Sequence, residues 1–148
     1  MRALLQRVSR AEVRVDGEPV GRIGPGLLIL LGVGHGDDEA LTDALARRVC
    51  ALRIFDDEQG RTNRSLLDVG GEALVVSQFT LYADTRRGRR PGFTDAAAPE
   101  RARELWVRFA AAVAGHGVRV ETGRFGTVMA VELVNDGPFT IWLDTADR

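Results

Sequence analysis

Leu27-Leu28-Ile29-Leu30-Leu31-Gly32-Val33 is the stretch whose reading decides the fold. Its apolar character is continuous, and Gly24-Pro25-Gly26 breaks the chain immediately before it. A short apolar run bounded by turn residues reads as a strand buried on both faces. Upstream, Arg2–Val8 and Ala11–Val15 are short β-rich runs, and Asp16-Gly17 is a strong two-residue hairpin signal with Glu18–Ile23 as the return strand. Downstream, Gly32, Gly34 and Gly36 make a glycine-rich exit loop. Their spacing is not G-x-G-x-x-G and no P-loop Lys-Ser/Thr follows, so a phosphate-binding turn is not the expectation.

Asp37 or Asp38 is a good N-cap for a helix running to about Leu52, with Leu41, Ala44, Leu45, Val49 and Leu52 expected on one face. Cys50 sits beside that stripe and reads as a small buried filler. Asp56-Asp57-Glu58-Gln59-Gly60 is an acidic turn without the pattern of a calcium loop. Gly70-Gly71 precede a predicted strand over Glu72–Phe79, followed by Thr80–Ala83. Pro99-Glu100 marks the first turn of a second helix. Its apolar residues Ala102, Leu105, Trp106, Phe109, Ala110 and Val113 repeat at three and four, and Gly115 and Gly117 stop it. At that spacing Trp106 is expected in the core and not as a stacking platform. Two strands close the chain, Met129–Val134 and Phe139–Leu143, separated by Asn135-Asp136-Gly137-Pro138. This order lacks regular β-α alternation. It predicts a single α+β domain over residues 1–148, with a mostly antiparallel, barrel-like sheet and two main helices.

The 148 residues suffice for one core and are too few for two ordinary domains. Apolar residues at 45% and charged residues at 28% are the balance of a folded soluble protein. No run is long enough to span a bilayer, and the first residues meet a charge too soon for a secretory signal. The one cysteine cannot form an internal disulfide, so a cytoplasmic setting is expected. A net charge of -1 excludes a grip on nucleic acid through bulk charge, although a local cluster can serve instead.

The histidines, His35 and His116, and Cys50 are not at ligand spacing, so neither a metal nor another cofactor is expected. There is no G-x-S-x-G elbow. Three segments remain as candidates. Ser77-Gln78-Phe79-Thr80 places two hydroxyls and an amide at the end of an apolar strand, where hydroxyls can also simply cap backbone groups. Arg86, Arg87, Arg89 and Arg90 form a dense basic loop around Gly88, suited to a phosphate-bearing substrate or merely solvated. Gly137-Pro138 marks a rigid turn between two strands, and its isomer is not readable from the residues. These features alone describe a small α+β domain acting on a phosphorylated substrate.

At Ser77-Gln78-Phe79-Thr80-Leu81-Tyr82-Ala83 and Asn135-Asp136-Gly137-Pro138-Phe139-Thr140 the sequence resembles the D-aminoacyl-tRNA deacylase family. Further matching blocks are Arg2-Ala3 with Gln6-Arg7-Val8, Ile23 to Leu27, Leu52 to Phe55, Gly88 to Pro91 and Glu121 to Gly126, so the likeness spans nearly the whole chain. The resemblance implies a homodimer that hydrolyses the ester between a D-amino acid and the 3′-terminal adenosine of tRNA, and that also removes glycine from mischarged tRNA-Ala. It implies that Gly137-Pro138 is a Gly-cisPro motif reaching into the partner's site, where its carbonyls leave no room for an L side chain. Arg7 matches the arginine that tethers this motif. Ser77, Gln78, Phe79 and Thr80 match the reaction centre, and Phe125 and Met129 match positions that pack on the terminal adenine.

The resemblance favours assistance by the ribose 2′-OH over Thr80 as nucleophile. An aminoacyl ester is already activated, and no histidine or carboxylate in the motif stands ready to activate Thr80. Phe139 stands where the family usually has Val, Gly92 where it has Ser, and Thr127-Val128 where it has Ala-Asp. The alternative from another class is a non-catalytic RNA-binding domain of the same fold, using the Arg86–Arg90 loop.

Overall fold

Asp16 and Gly17 have φ of 51° and 79°, the left-handed pair that a type I′ hairpin turn requires. The turn joins β1 (Arg2–Val15) to β2 (Glu18–Ile23) in antiparallel register, as the sequence predicts. The structure, a computed structural model, describes residues 1–147. Arg2–Val8 and Ala11–Val15 prove to be one strand. Its first part pairs with β3 (Gly26–Gly32) and its second with β2, so the exposed Ser9 and Arg10 bridge two partners without ending the strand.

β6 (Glu72–Ser77) lies beside β3, and β7 (Arg119–Thr122) beside β6, giving the order β2-β1-β3-β6-β7 with β8 (Ala130–Asp144) along the other edge of β1. The β1 pairings are antiparallel, so the sheet is mostly antiparallel as expected, but β3–β6 and β6–β7 are parallel, which the sequence reading did not include. The reason is that α1 (Glu39–Ala51) and α3 (Pro99–Gly115) are crossovers. Each returns the chain to the same end of the sheet, so the next strand must run parallel. A short hairpin of β4 (Phe55–Asp56) and β5 (Thr62–Arg64) and the four-residue helix α2 (Leu66–Val69) fill the first crossover.

The continuous apolar run in β3 is explained by two packed faces. Leu27, Ile29 and Leu31 join a cluster with Leu45, Val49, Leu105 and Phe109 of α1 and α3. Leu28 faces the other way, toward Val8, Val13, Ile23, Leu74 and Val76. That second face is closed by curvature of the sheet: a Cβ on Gly21 of β2 would lie 2.5 Å from the Thr122 carbonyl of β7, so only glycine lets these edges come together. The sheet is thereby nearly a barrel. Truncating a residue such as Leu28 at its centre costs about 2–5 kcal/mol.

Asp38 caps α1, accepting from the Leu41 N–H at 2.8 Å, a contact worth about 1 kcal/mol. On this helix Ala44 is exposed, contrary to expectation. The buried face carries Thr42, Leu45, Ala46, Val49 and Cys50, and the Thr42 hydroxyl is satisfied by the Asp38 carbonyl at 2.7 Å. The buried face of α3 holds Ala102, Leu105, Trp106, Phe109 and Val113 as the spacing predicts. The two helices are laced by Arg101 to Glu39 at 2.9 Å and Arg108 to Asp43 at 2.7 Å.

Two boundaries differ at the functional segments. The strand predicted over Glu72–Phe79 ends at Ser77, and Phe79–Tyr82 is a 3-10 turn. The strands predicted over Met129–Val134 and Phe139–Leu143 are one element, β8, interrupted in its pairing. Asn135 pairs with Val8 and Thr140 with Gln6, so Asp136 to Phe139 stand opposite Arg7 alone and are pushed out as a loop.

Candidate active site

Ser77 and Gln78 leave the sheet between two layers. Ser77 is the last residue of β6, in register with Leu31, and the Gln78 N–H donates to the Leu31 carbonyl at 2.8 Å. The 3-10 turn begins there, its first bond running from the Leu81 N–H to the Gln78 carbonyl at 3.2 Å. The N–H groups of Phe79 and Thr80 precede that bond and so have no acceptor within the turn. The Gln78 side-chain amide donates to the Thr80 hydroxyl. Phe79 is 57% exposed and meets Phe93 edge-on, with ring centroids 5.1 Å apart.

Beside this segment opens a cavity of about 880 Å³. Ser77, Gln78 and Phe79 line one side, and Phe125 and Met129 line another, so residues about fifty positions apart in sequence share one chamber. Thr80 is exposed and lies outside the lining. Trp106 is buried in the core as expected, yet it is also part of the cavity wall, with its ring 5.7 Å from that of Phe125. Among the described residues its buried indole N–H has no partner. His35, Phe93 and Ala97 also line the chamber, a place that sequence reasoning did not give them. The only signal was the small-residue run Ala96-Ala97-Ala98 before Pro99, which lets the chain pass close to β3. Ala97 N–H donates to the Val33 carbonyl at 2.9 Å, and the His35 ring bonds the Thr94 carbonyl at 2.8 Å. His35 thus braces the wall, in keeping with its structural reading.

A second hollow adjoins the first, sharing Thr94 with it. It is lined by Asp84, Arg86, Arg87, Arg90 and Asp95 among others, while Arg89 lies outside it. Arg86 forks onto Asp84 at 2.8 Å, and its hydrogen bonds hold the Asp84 carboxyl well below the usual carboxylate range. Among the described residues, Arg87, Arg89 and Arg90 have no carboxylate within ion-pair distance, which leaves their charge available to a ligand.

The Gly137-Pro138 peptide bond is cis. Both residues are exposed, and neither lines the cavity of its own chain. Arg7, only 6% exposed, supports the loop. Its Nε donates to the Asp136 carbonyl at 3.0 Å, Nη1 donates to the Ile54 carbonyl at 2.8 Å, and the Asp136 carboxylate is 3.2 Å from Nε. Asn135 closes the loop by donating to the Arg7 and Phe139 carbonyls at 2.9 and 3.1 Å.

Two residues weighed for other chemistry stand apart. Cys50 is buried, and burial pushes its thiol up to about 11. His116 caps the end of α3. Among the described residues no group of three or more His, Cys, Asp or Glu side chains is gathered to hold a metal ion.

Residues 4–144 match the family model described as D-Tyr-tRNA(Tyr) deacylase. A D-aminoacyl-tRNA deacylase of Paracoccus denitrificans is 62% identical over 148 residues, covering 100% of this chain and 99% of the relative. One from a Roseiflexus species is 66% identical over 146 residues, covering 99% and 94%. Among solved structures, the c-Myc DNA Unwinding Element Binding Protein superposes with a TM-score of 0.92 and 37% identity, covering 98% of this chain and 99% of that one.

Proposed function

The chain belongs to the D-Tyr-tRNA(Tyr) deacylase family, and from that premise we propose how it hydrolyses the ester of a D-aminoacyl-tRNA. As a D-aminoacyl-tRNA deacylase it is a carboxylic ester hydrolase. Water adds to the ester carbonyl carbon, the bond from that carbon to the ribose 3′ oxygen breaks, and that oxygen takes up a proton. The products are a free D-amino acid and tRNA.

The observation that carries the reading is the shared chamber: Ser77, Gln78 and Phe79 face the same space as Phe125 and Met129. In it the terminal adenine packs on Phe125 and Met129, as unpaired RNA bases do on aromatic and apolar faces. The ester then lies at the Ser77–Thr80 segment, where the N–H groups of Phe79 and Thr80 are the donors that stabilise the developing oxyanion. The 2′-OH of the terminal ribose positions the water, which relieves Thr80 of a nucleophile's role. Arg86, Arg87, Arg89 and Arg90 meet the phosphates of the acceptor end.

Enantiomer choice belongs to Gly137-Pro138, acting on the site of a second copy in a homodimer. In support, the loop projects from the sheet and is absent from its own chain's cavity. Backbone carbonyls there leave no space for an L side chain and hold a D substrate loosely whatever its side chain. Glycine, lacking a side chain, is accepted by the same rule, so glycyl-tRNA-Ala is a second substrate. The reaction takes place in the cytoplasm and draws on no cofactor.

Deacylation of matched D- and L-aminoacyl-tRNAs tests the reading. Hydrolysis of the D substrate and of glycyl-tRNA, with the L substrate spared, is the expected result. Equal rates on both enantiomers would refute the role of the loop, and no hydrolysis would favour the RNA-binding alternative.

A further inference from the structure

Arg2 lies at the start of β1, far in sequence from the Ser77–Thr80 segment, yet it is bound to the turn that carries it. Its Nη1 donates to the Leu81 carbonyl at 2.9 Å, and its Nε donates to the Asp144 carboxylate at the end of β8, also at 2.9 Å. The guanidinium lies over the Tyr82 ring at 4.4 Å and near the Trp142 ring at 5.7 Å, so it is held between an aromatic of the turn and one of β8. Tyr82 in turn fills space that Gly34 leaves open, since a Cβ there would sit 2.6 Å from the Tyr82 ring and hydroxyl. Burial, and after it the negative charge of Asp37 and Asp144, push the Tyr82 hydroxyl up, so the ring enters this contact neutral.

We infer that Arg2 is a positioning residue for the reaction: by holding the Leu81 carbonyl and the Tyr82 ring, it sets where the turn presents the N–H groups of Phe79 and Thr80. Three properties select this role over that of an ordinary surface ion pair. An exposed ion pair contributes little, about 0–1 kcal/mol, and would not by itself need a fork. Here the planar guanidinium meets a carboxylate, a carbonyl and two rings at once, which the point charge of lysine cannot do. The contact also falls within the turn itself, upstream of the Asp84–Gly92 pair (2.7 and 2.9 Å) that fixes the chain beyond it, so it bears on the donors more directly than those bonds do. Oxyanion donors act through placement, and a shift of about 1 Å in a catalytic group can lower a rate by about a hundredfold. The inference rests on the deacylase reading for its kinetic consequence, but not for its structural one.

The test compares Arg2→Ala and Arg2→Lys with the native protein, using Arg101→Ala as a surface control. Two readouts are taken: kcat and KM for a D-aminoacyl-tRNA, and the backbone amide NMR shifts of Phe79, Thr80 and Leu81. Arg2→Ala is expected to lower kcat by about tenfold or more with KM within about twofold, because the adenine and phosphate contacts are elsewhere. Arg2→Lys should fall between. Both should move the three amide signals, and the Arg101 control should move neither readout. Tyr82→Phe, which keeps the ring, should retain the native kcat. Unmoved amide signals, or a lower melting temperature with an unchanged kcat, would overturn the inference. The amide shifts also separate the two readings: absent hydrolysis by the native protein refutes the deacylase assignment, while the signals still decide whether Arg2 sets the turn.

Discussion

The Arg7 guanidinium lies 4.4 Å from the centroid of the Phe139 ring while its Nε donates to the Asp136 carbonyl, so the loop is gripped by the arginine at both ends. The same side chain reaches the Ile54 carbonyl at 2.8 Å and, more distantly, Asp56 at 3.5 Å, which ties the β4–β5 hairpin to the loop. Phe139, where the family usually has Val, gives this chain an aromatic face for the cation. Arg7→Ala is expected to destabilise the protein by about 1.5–3 kcal/mol, the usual worth of hydrogen bonds to a charged group. It should also reduce the ratio of D- to L-aminoacyl-tRNA hydrolysis. A denaturant melt and paired initial rates measure the two effects.

Gly137→Ala separates the loop's role in folding from the role in selection proposed for it. Within its own chain the added Cβ would meet only the Asn135 Oδ1, at 3.4 Å, an ordinary contact. Stability should therefore stay within about 0.5 kcal/mol of the native protein. If the loop enters a second copy's pocket as proposed, hydrolysis of D-aminoacyl-tRNA should drop by at least about tenfold, because the methyl group would intrude there. Native rates with this variant would place the loop outside the pocket.

Thr80→Ala should keep activity within about tenfold of the native rate, since the hydroxyl is outside the cavity lining and accepts from Gln78. A substrate ending in 2′-deoxyadenosine should lose most of its rate. Single-turnover deacylation of both substrates by both proteins makes the comparison, and full activity on the deoxy substrate would return Thr80 to consideration as the nucleophile.

Cys50 gives a pH prediction of definite sign. Burial raises its folded pKa from 9.0 to about 11, so the folded state keeps a proton that the unfolded state has lost. Its contribution to stability is fully present below pH 9.0 and is lost as pH rises toward about 11. The melting temperature should fall over that window, and the fall should be smaller in Cys50→Ala. At neutral pH the native thiol should resist a thiol reagent until the protein is unfolded.

What the sequence made legible was local. Asp16-Gly17, the Asp38 cap and the buried face of α3 are each dictated by residues within a turn or two of one another, and each was found where expected. Ala44 failed because spacing alone did not distinguish it from Thr42, which entered the core by bonding its own helix. The parallel pairs were missed because each depends on a crossover tens of residues long. At the site, the motif residues could be named but not assembled. The chamber requires β6, the 92–97 segment and the start of α3 to converge, and only the packed sheet brings them together. Trp106 illustrates the limit: its spacing correctly assigned it to the core, and nothing in that spacing revealed that the core there has a cavity beside it.

β1 is bonded along both edges, to β2 and β3 on one and to β8 on the other, with Arg2 paired to Asp144. A ribosome delivers β1 first and β8 last. During synthesis the hairpin and the β3–β6 layer can form while one long edge of β1 still waits, offering its N–H and C=O groups to any passing strand. Such distant pairings close slowly. The nascent chain thus spends its growth with that edge open, and the arrival of β8 simultaneously seals the sheet and sets the Asp136–Phe139 loop against Arg7.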